Sequence, residues 1–326
     1  MKTLIAFALV MATSVPAKAQ RSTGAEVVSV PVTITSLDRS QHIAGLTAAE
    51  FRVSENGDRQ DVTSVTRERV PISLAIVVDS GTTMLTGMRR QLAAESVDKV
   101  VSALGPEDEF TVLFLGRTVE QRLPWTSGKG VTALNWDGWN PTGVASLHDG
   151  LRDAFARLQE ARNTRHAILV LTPGFESSSR MSLSNLVKSR QASETSLFAF
   201  GLGSHRQEEA AAEESRVLTT RPRTSDDVRK LDPLGSGIIA PKPLMQADNL
   251  DQLVGDSGGM VTRVLSMPEA TMAARNLIAE LHNQYLVSFT PKKPLDGKYR
   301  KLKIEVNRKG TYVRHRGGYL AVPARD

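Results

Sequence analysis

Ile72-Ser-Leu-Ala-Ile-Val-Val-Asp79-Ser-Gly-Thr-Thr-Met84 is the stretch that decides the fold. A short apolar run, rich in β-branched residues, stops at an acidic residue and gives way to small hydroxyl residues. Such a run predicts a central strand buried on both faces, with Asp79 at its carboxyl end. In open α/β sheets that edge is where ligands bind.

Outward from this strand the pattern alternates. Thr86 to Leu104 carries apolar residues at helical spacing and stops at Gly105-Pro106. Phe110 to Leu115 predicts the next strand, with Val119 to Leu123 beside it. Leu147 to Leu158 reads as an amphipathic helix, Ala167 to Leu171 as a buried strand, Leu183 to Gln191 as a helix and Leu197 to Gly201 as a strand. Short strands alternating with helices imply β-α-β units, so the expected class is α/β with a doubly wound, mostly parallel sheet flanked by helices. Residues 205–243 break the rhythm with polar sequence and predict a mobile insertion. Leu250 to Val254, Gly259 to Val264 and Met267 to Leu281 then resume it, closing an α/β domain over 71–283.

Both flanks are β-rich. Residues 26–69 hold Val28 to Thr35, Phe51 to Glu55 and Asp61 to Val65, with Glu55-Asn-Gly-Asp-Arg59 as a turn. Residues 284–322 hold Gln284 to Thr290, Arg300 to Val306 and Tyr312 to Leu320. Small β extensions are therefore expected at each end.

Residues 1–19 begin with Lys2, run through apolar Leu4 to Met11 and end in Ala17-Lys-Ala19, the pattern of a signal peptide that leaves Gln20 as the mature terminus. The apolar run is shorter than the roughly 20 residues of a bilayer span, and no later segment reaches that length. The expectation is an exported protein, periplasmic or extracellular, that does not span a membrane once the signal is cleaved. With no cysteine among 326 residues, disulfides, thiolate metal sites and cysteine nucleophiles are excluded.

The formal charge of +6 is mild, but basic residues gather between Lys292 and Arg316. Alternation as in Leu302-Lys-Ile-Glu-Val306 is what the solvated face of an antiparallel hairpin looks like. Without a nucleic-acid module signature beside it, the expectation is no nucleic acid.

Two motifs suggest hydrolysis. Gly255-Asp-Ser257-Gly-Gly259 matches the nucleophile pentapeptide of trypsin-like proteases, but no histidine stands in the required setting and the β-α rhythm is wrong for that enzyme. Gly258-Gly259 reads instead as a tight turn. His148-Asp149 are adjacent on a helix and so do not face one another. The six histidines are scattered, with no zinc spacing.

Ile72 to Asp79 with Ser80-Gly-Thr-Thr83, Leu104-Gly-Pro-Glu-Asp-Glu-Phe110, Ser146-Leu-His-Asp149, Ile168-Leu-Val-Leu-Thr-Pro-Gly174 and Leu253 to Gly259 together resemble the successive landmarks of a von Willebrand factor A domain. Gly45-Leu-Thr-Ala-Ala-Glu-Phe-Arg-Val-Ser-Glu55 and Gln284-Tyr-Leu-Val-Ser-Phe-Thr-Pro291 are similar to the flanks of its exported, acidobacterial-type relatives. The resemblance implies a Mg²⁺ at the carboxyl edge, held by an Asp-x-Ser-x-Ser loop, a threonine of a second loop and an aspartate of a third. Such an ion is hard and octahedral and takes oxygens at close range.

Carried over residue by residue, Asp79 matches the first aspartate and Thr83 keeps a hydroxyl, but Gly81 replaces the middle serine. Ala145 stands at the second loop's threonine and Pro173 at the third loop's aspartate. The expectation is therefore a degenerate adhesion site with no required cofactor, Asp79 and Thr83 being its remaining metal positions. The alternative is a Mg²⁺ site with shifted ligands, for which Thr142, Ser146, Thr172 and Glu176 lie on loops at the same edge. Without an ion, Asp79 is expected to cap the helix that follows at Thr82 or Thr83 and to satisfy loop amides.

The resulting reading is a non-enzymatic binding module whose carboxyl-edge loops meet a protein partner. An envelope scaffold is the second reading and a hydrolase the last. Trp125, Trp136 and Trp139 lie near the second loop, either as exposed interface anchors or folded back onto the core.

Overall fold

The computed structural model describes residues 27–176, 178–203 and 247–322. The expected signal peptide and the expected insertion lie outside the described residues. In the α/β domain the strands are β5 (Ile72–Asp79), β6 (Glu109–Leu115), β7 (Val119–Ser127), β8 (Arg165–Thr172), β9 (Ser196–Leu202) and β10 (Val261–Val264). They form one sheet in the order β10-β9-β8-β5-β6-β7. Every neighbouring pair is parallel except β6 with β7. Read from the β7 edge, this is the 3-2-1-4-5-6 order of a doubly wound sheet, whose switch point lies between β5 and β8.

All eight residues of β5 are buried, as a central strand requires. Because side chains alternate across a strand, Ile72, Leu74, Ile76 and Val78 enter one core while Ala75 and Val77 enter the other. The first core is closed by α1 (Arg89–Ala103) and α5 (Met267–Asn283). Leu147 and Leu151 of α2 (Leu147–Arg157), Leu186 of α3 (Leu183–Gln191) and Leu250 and Leu253 of α4 (Ala247–Val254) close the second. The expected α1 start at Thr86 moves to Arg89, because Thr82–Leu85 wind into a 3₁₀ turn first.

The two β-rich flanks, far apart in sequence, build one body. Strands β1 (Val28–Ser36), β4 (Val62–Thr66), β11 (Tyr285–Phe289) and β13 (Thr311–His315) form a sheet in the order β13-β1-β11-β4. Strands β2 (Phe51–Glu55), β3 (Asp58–Gln60), β12 (Tyr299–Val306) and β14 (Gly318–Leu320) form a second, in the order β14-β12-β2-β3. A shared core of Val30, Val32, Phe51, Val53, Val287, Phe289 and Ile304 lies between them. Each flank places two strands in each sheet, so neither sheet is complete without the other flank. The α/β domain is thus an insertion into a β-sandwich.

Local chemistry sets the sandwich's turns. Asn56 and Gly57, with φ of 50° and 91°, make the tight β2–β3 hairpin. The single strand expected over 312–320 splits into β13 and β14 at Gly317, whose amide donates to the Asp256 carbonyl at 2.8 Å. A Cβ there would lie 2.8 Å from the Asp256 carboxyl carbon.

Polar groups weld the sandwich to α5. Thr33 donates to Glu280 (3.0 Å) and accepts from Gln284 (3.0 Å), while Arg314 pairs with Glu280 and Arg165 reaches Gln284. Burial pulls the Arg165 guanidinium down to about 10. Nearby, at the amino edge of the α/β sheet, Asp108 accepts from the Ile72 amide (3.1 Å), the Gly105 amide (2.6 Å), Arg69 (3.1 Å) and His282 Nε2 (3.0 Å). Burial pushes the Asp108 carboxyl upward, but hydrogen bonds from His282, Gly105 and Ile72 outweigh it and hold the group at about 2.

The basic stretch is largely neutralised in place. Lys292 pairs with Asp61, Lys293 with Asp58, Lys303 with Glu305, Arg308 with Glu50 and Arg316 with Glu194. Arg300 is buried against Glu55, which also accepts from the Tyr319 hydroxyl at 2.8 Å. Most of this charge is spent on internal pairing.

Candidate functional site at the carboxyl edge

Three loops meet at the switch point. The first, 80–83, follows β5; the second, 140–146, precedes α2; the third, 173–180, follows β8. The second loop is stitched onto the first: Thr142 N donates to Ser80 O (2.8 Å), and both the amide and the hydroxyl of Thr82 donate to Gly143 O (2.9 Å each). Trp139 Nε1 adds a bond to Ser80 Oγ at 2.8 Å.

Asp79 lies beneath this closure, fully buried. One carboxylate oxygen accepts from the Gly81 amide at 2.8 Å, and the other accepts from the Thr172 hydroxyl at 2.8 Å. The capping expected at Thr82 or Thr83 is shifted to Gly81, since the chain turns there before entering the 3₁₀ helix. Burial pushes the carboxyl up to about 6, against the opposing pull of the Gly81 amide, the Thr172 hydroxyl and the charge of Arg89.

Gly81 and Ala145, two of the replaced positions, stand side by side. A Cβ on Gly81 would stand 3.1 Å from the Ala145 amide and 3.3 Å from the Asp79 carboxylate. Ala145 is itself buried in the second core. The volume next to Asp79 is filled by backbone and a methyl group.

The remaining candidates occupy different places around this edge. Thr83 is half-buried, and its carbonyl accepts from Arg89 at 2.9 Å. Thr142 is exposed on the second loop. The Ser146 hydroxyl lies 2.9 Å from that of Ser178. Glu176 closes the amino end of α2: it accepts from the His148 amide (3.1 Å), the Ser178 and Ser179 amides (2.8 and 2.9 Å) and the Ser179 hydroxyl (2.7 Å). Burial raises its carboxyl, but those hydrogen bonds win and leave it below the usual range, as befits a carboxylate at a helix start. Asp79 and Thr172 are therefore the pair brought into direct contact. Among the described residues no three His, Asp or Glu side chains converge.

Several contributors left no local signal. Arg89 opens α1 yet is buried, with its guanidinium 5.6 Å from the Phe175 ring and close against Gly203. Asp149 accepts from the Arg180 and Met181 amides and so anchors the third loop. Leu85 and Met88, beside the first loop, are 52% and 51% exposed. Of the tryptophans, Trp139 is buried, Trp136 packs against the first core and Trp125 against the second, so they fold back onto the protein.

The hydrolytic groups are dispersed. Ser80 binds Trp139, His148 Nδ1 lies 2.9 Å from the Met181 carbonyl, and Ser257 is buried at the opposite end of the sheet. There Ser257 Oγ accepts from the Leu197 and Gly259 amides and donates to the Leu197 carbonyl. Gly258 adopts φ 83°, and a Cβ on Gly259 would fall 1.9 Å from the Leu197 carbonyl oxygen. This glycine pair is a turn pressed against β9.

A 3-2-1-4-5-6 sheet with an antiparallel edge strand, and an Asp-led loop at its switch point faced by two further loops, settles the architecture. The fold is that of a von Willebrand factor A domain. Similar solved A-type and related structures include a von Willebrand factor type A protein from Catenulispora acidiphila, at 10% identity, covering 83% of this chain and 73% of that one with a TM-score of 0.46. BatB from Bacteroides thetaiotaomicron matches at 13% identity over 64% of this chain and 98% of that one, with a TM-score of 0.43. An aerotolerance-related membrane protein from Bacteroides fragilis matches at 15% identity, 64% and 98% coverage and a TM-score of 0.43. No protein-family model matches the chain, and no curated protein does. Likeness this distant concerns the A-type fold alone. Among the described residues no helix is long and apolar enough to cross a membrane.

Proposed function

We propose that the carboxyl edge of this A-type domain binds a protein partner without a metal ion, as a non-enzymatic interaction module of an exported protein. The observation that carries this reading is the lack of room for a larger side chain at Gly81, between the Ala145 backbone and a fully buried Asp79. Both Asp79 oxygens accept from the chain itself, and Glu176 is committed to the α2 terminus. That donor set does not fit a hard octahedral cation, which needs convergent oxygens at close range. The stitched loops instead present a preformed surface, and Leu85 and Met88 supply the exposed apolar anchors that interfaces use. Export rests on residues 1–19, and a mature protein beginning at Gln20 is its expected product.

Thermal melting of the purified mature protein against Mg²⁺ or Mn²⁺ tests the metal-free reading, because an ion that binds the native state raises the melting temperature. The expected result is no saturable rise. A saturable rise abolished by Asp79→Ala would overturn the proposal.

A further inference from the structure

We propose that a cleft on the outer half of the A-type sheet binds a small planar aromatic carboxylate. The cleft has a volume of about 230 Å³. Its floor is Val112 and Phe114 of β6, its sides are Leu123 of β7 and Leu134, and Trp136 forms a wall. Arg122 stands at its mouth.

The cleft is held open by fixed groups. Residues 128–146 run without a helix or strand, and Leu134 and Trp136 of this segment line the cleft. Collapse of the covering loop is prevented by Asp98, whose Oδ1 accepts from both the Trp136 indole (3.1 Å) and the Leu134 amide (2.9 Å). Trp136 in turn stacks on Phe114 at 6.1 Å between centroids, with 15° between the planes. Trp139 supports it from behind at 5.1 Å. A wall pinned by hydrogen bonds on one side and rings on the other is preorganised for a flat guest.

Size and charge define the guest. An apolar cavity of about 150 Å³ takes benzene, so this cleft holds one ring and a short arm. Arg122 donates to the Asp137 carbonyl at 2.7 Å and lies 5.9 Å from the Phe114 ring, and no carboxylate among the described residues pairs with it. The basic residues of the C-terminal stretch, by contrast, mostly have such partners. A guanidinium with donors to spare at the mouth of an apolar cleft selects an anion on the arm. This site is separate from the carboxyl-edge surface, and neither proposal depends on the other.

Phenylacetate titrated into the mature protein, followed by tryptophan fluorescence and calorimetry, tests it, with phenylacetamide as the uncharged comparison. Saturable binding of the acid is expected in about the millimolar range or tighter, the scale such a small ligand reaches. The amide should bind about tenfold more weakly, the usual worth of a charge-assisted hydrogen bond. Arg122→Gln, at an exposed position that leaves folding intact, should erase that difference, and Leu134→Trp should abolish both by filling the cleft. Absence of saturable binding, equal affinity for acid and amide in the unaltered protein, or an undiminished difference in Arg122→Gln would overturn the proposal. So would a peptide ending in phenylalanine that binds more than about tenfold tighter, which would give the cleft to a protein terminus.

Discussion

The two edges of the A-type sheet each bury an aspartate, and the two behave in opposite ways. Asp108, at the amino edge, is held at about 2, and Asp79, at the carboxyl edge, is pushed to about 6. Both side chains are closed to solvent and Asp79 is the more deeply enclosed, but depth alone does not set them apart. Partners do: Asp108 accepts from two amides, a guanidinium and an imidazole, whereas Asp79 accepts from one amide and one hydroxyl. The amino edge is built to keep a charge. The carboxyl edge keeps a carboxyl whose charge is poorly compensated, beneath loops that have closed over it.

Removing the charge at the amino edge should have the largest effect. Asp108→Ala leaves the Ile72 and Gly105 amides without acceptors and strips Arg69 and His282 of their shared anion. Arg69 is half-exposed and loses little, but each buried amide left without an acceptor costs roughly 1–3 kcal/mol. Urea unfolding at neutral pH should show a loss of that order, and a loss below about 1 kcal/mol would mean the edge is solvated and the comparison false.

The same comparison predicts opposite pH dependences. Asp108 has its carboxyl lowered from 3.8 to about 2, so its contribution is full above the unfolded value and is lost as pH falls through about 2. Asp79 has its carboxyl raised from 3.8 to about 6, so its contribution is full below the unfolded value and is lost as pH rises through about 6. At neutral pH the ionised Asp79 therefore costs stability. Asp79→Asn, which keeps an acceptor for Gly81 and offers an amide to Thr172, should stabilise the protein by up to about 3 kcal/mol at pH well above 6. That gain should vanish as pH falls below about 4. Unfolding free energies of both proteins across this range check it, and a gain that grows towards acid would reverse the assignment.

How far these edges were legible in sequence differs in the same way. The β5 strand and the position of Asp79 are local facts, written in one apolar run and its end. Gly81, Ala145 and Pro173 are likewise visible as replaced residues. Their consequence was not, because periodicity reports that a face is buried without naming what covers it. Glu176 offered itself as an auxiliary oxygen donor, yet the third loop turns back and spends it on α2. Arg89 reads as an ordinary charged helix residue and is buried against Phe175. The sandwich was harder still: β1 pairs with β11 and β13 across the whole inserted domain, so two flanks that look like separate extensions share one core. Alternation fixed each strand's inner face, but pairing at that separation has no local trace.

The smallest effect probes the closure itself. Gly81 has φ −77° and ψ 163°, a conformation open to any residue, so replacing it carries no backbone strain. On entropy alone Gly81→Ala should stabilise by about 0.4–1 kcal/mol. Its Cβ, however, would press on the Ala145 amide at 3.1 Å and the Asp79 carboxylate at 3.3 Å, and overpacking of that kind costs about 1–3 kcal/mol. A net loss of about 1 kcal/mol is therefore expected if the two loops hold their places, with the loss read from denaturant midpoints at unchanged slope. A net gain would mean that the second loop yields readily, leaving room beside Asp79 for a hydroxyl. The carboxyl edge would then differ from the amino edge in the residues it carries and no longer in the rigidity of its packing.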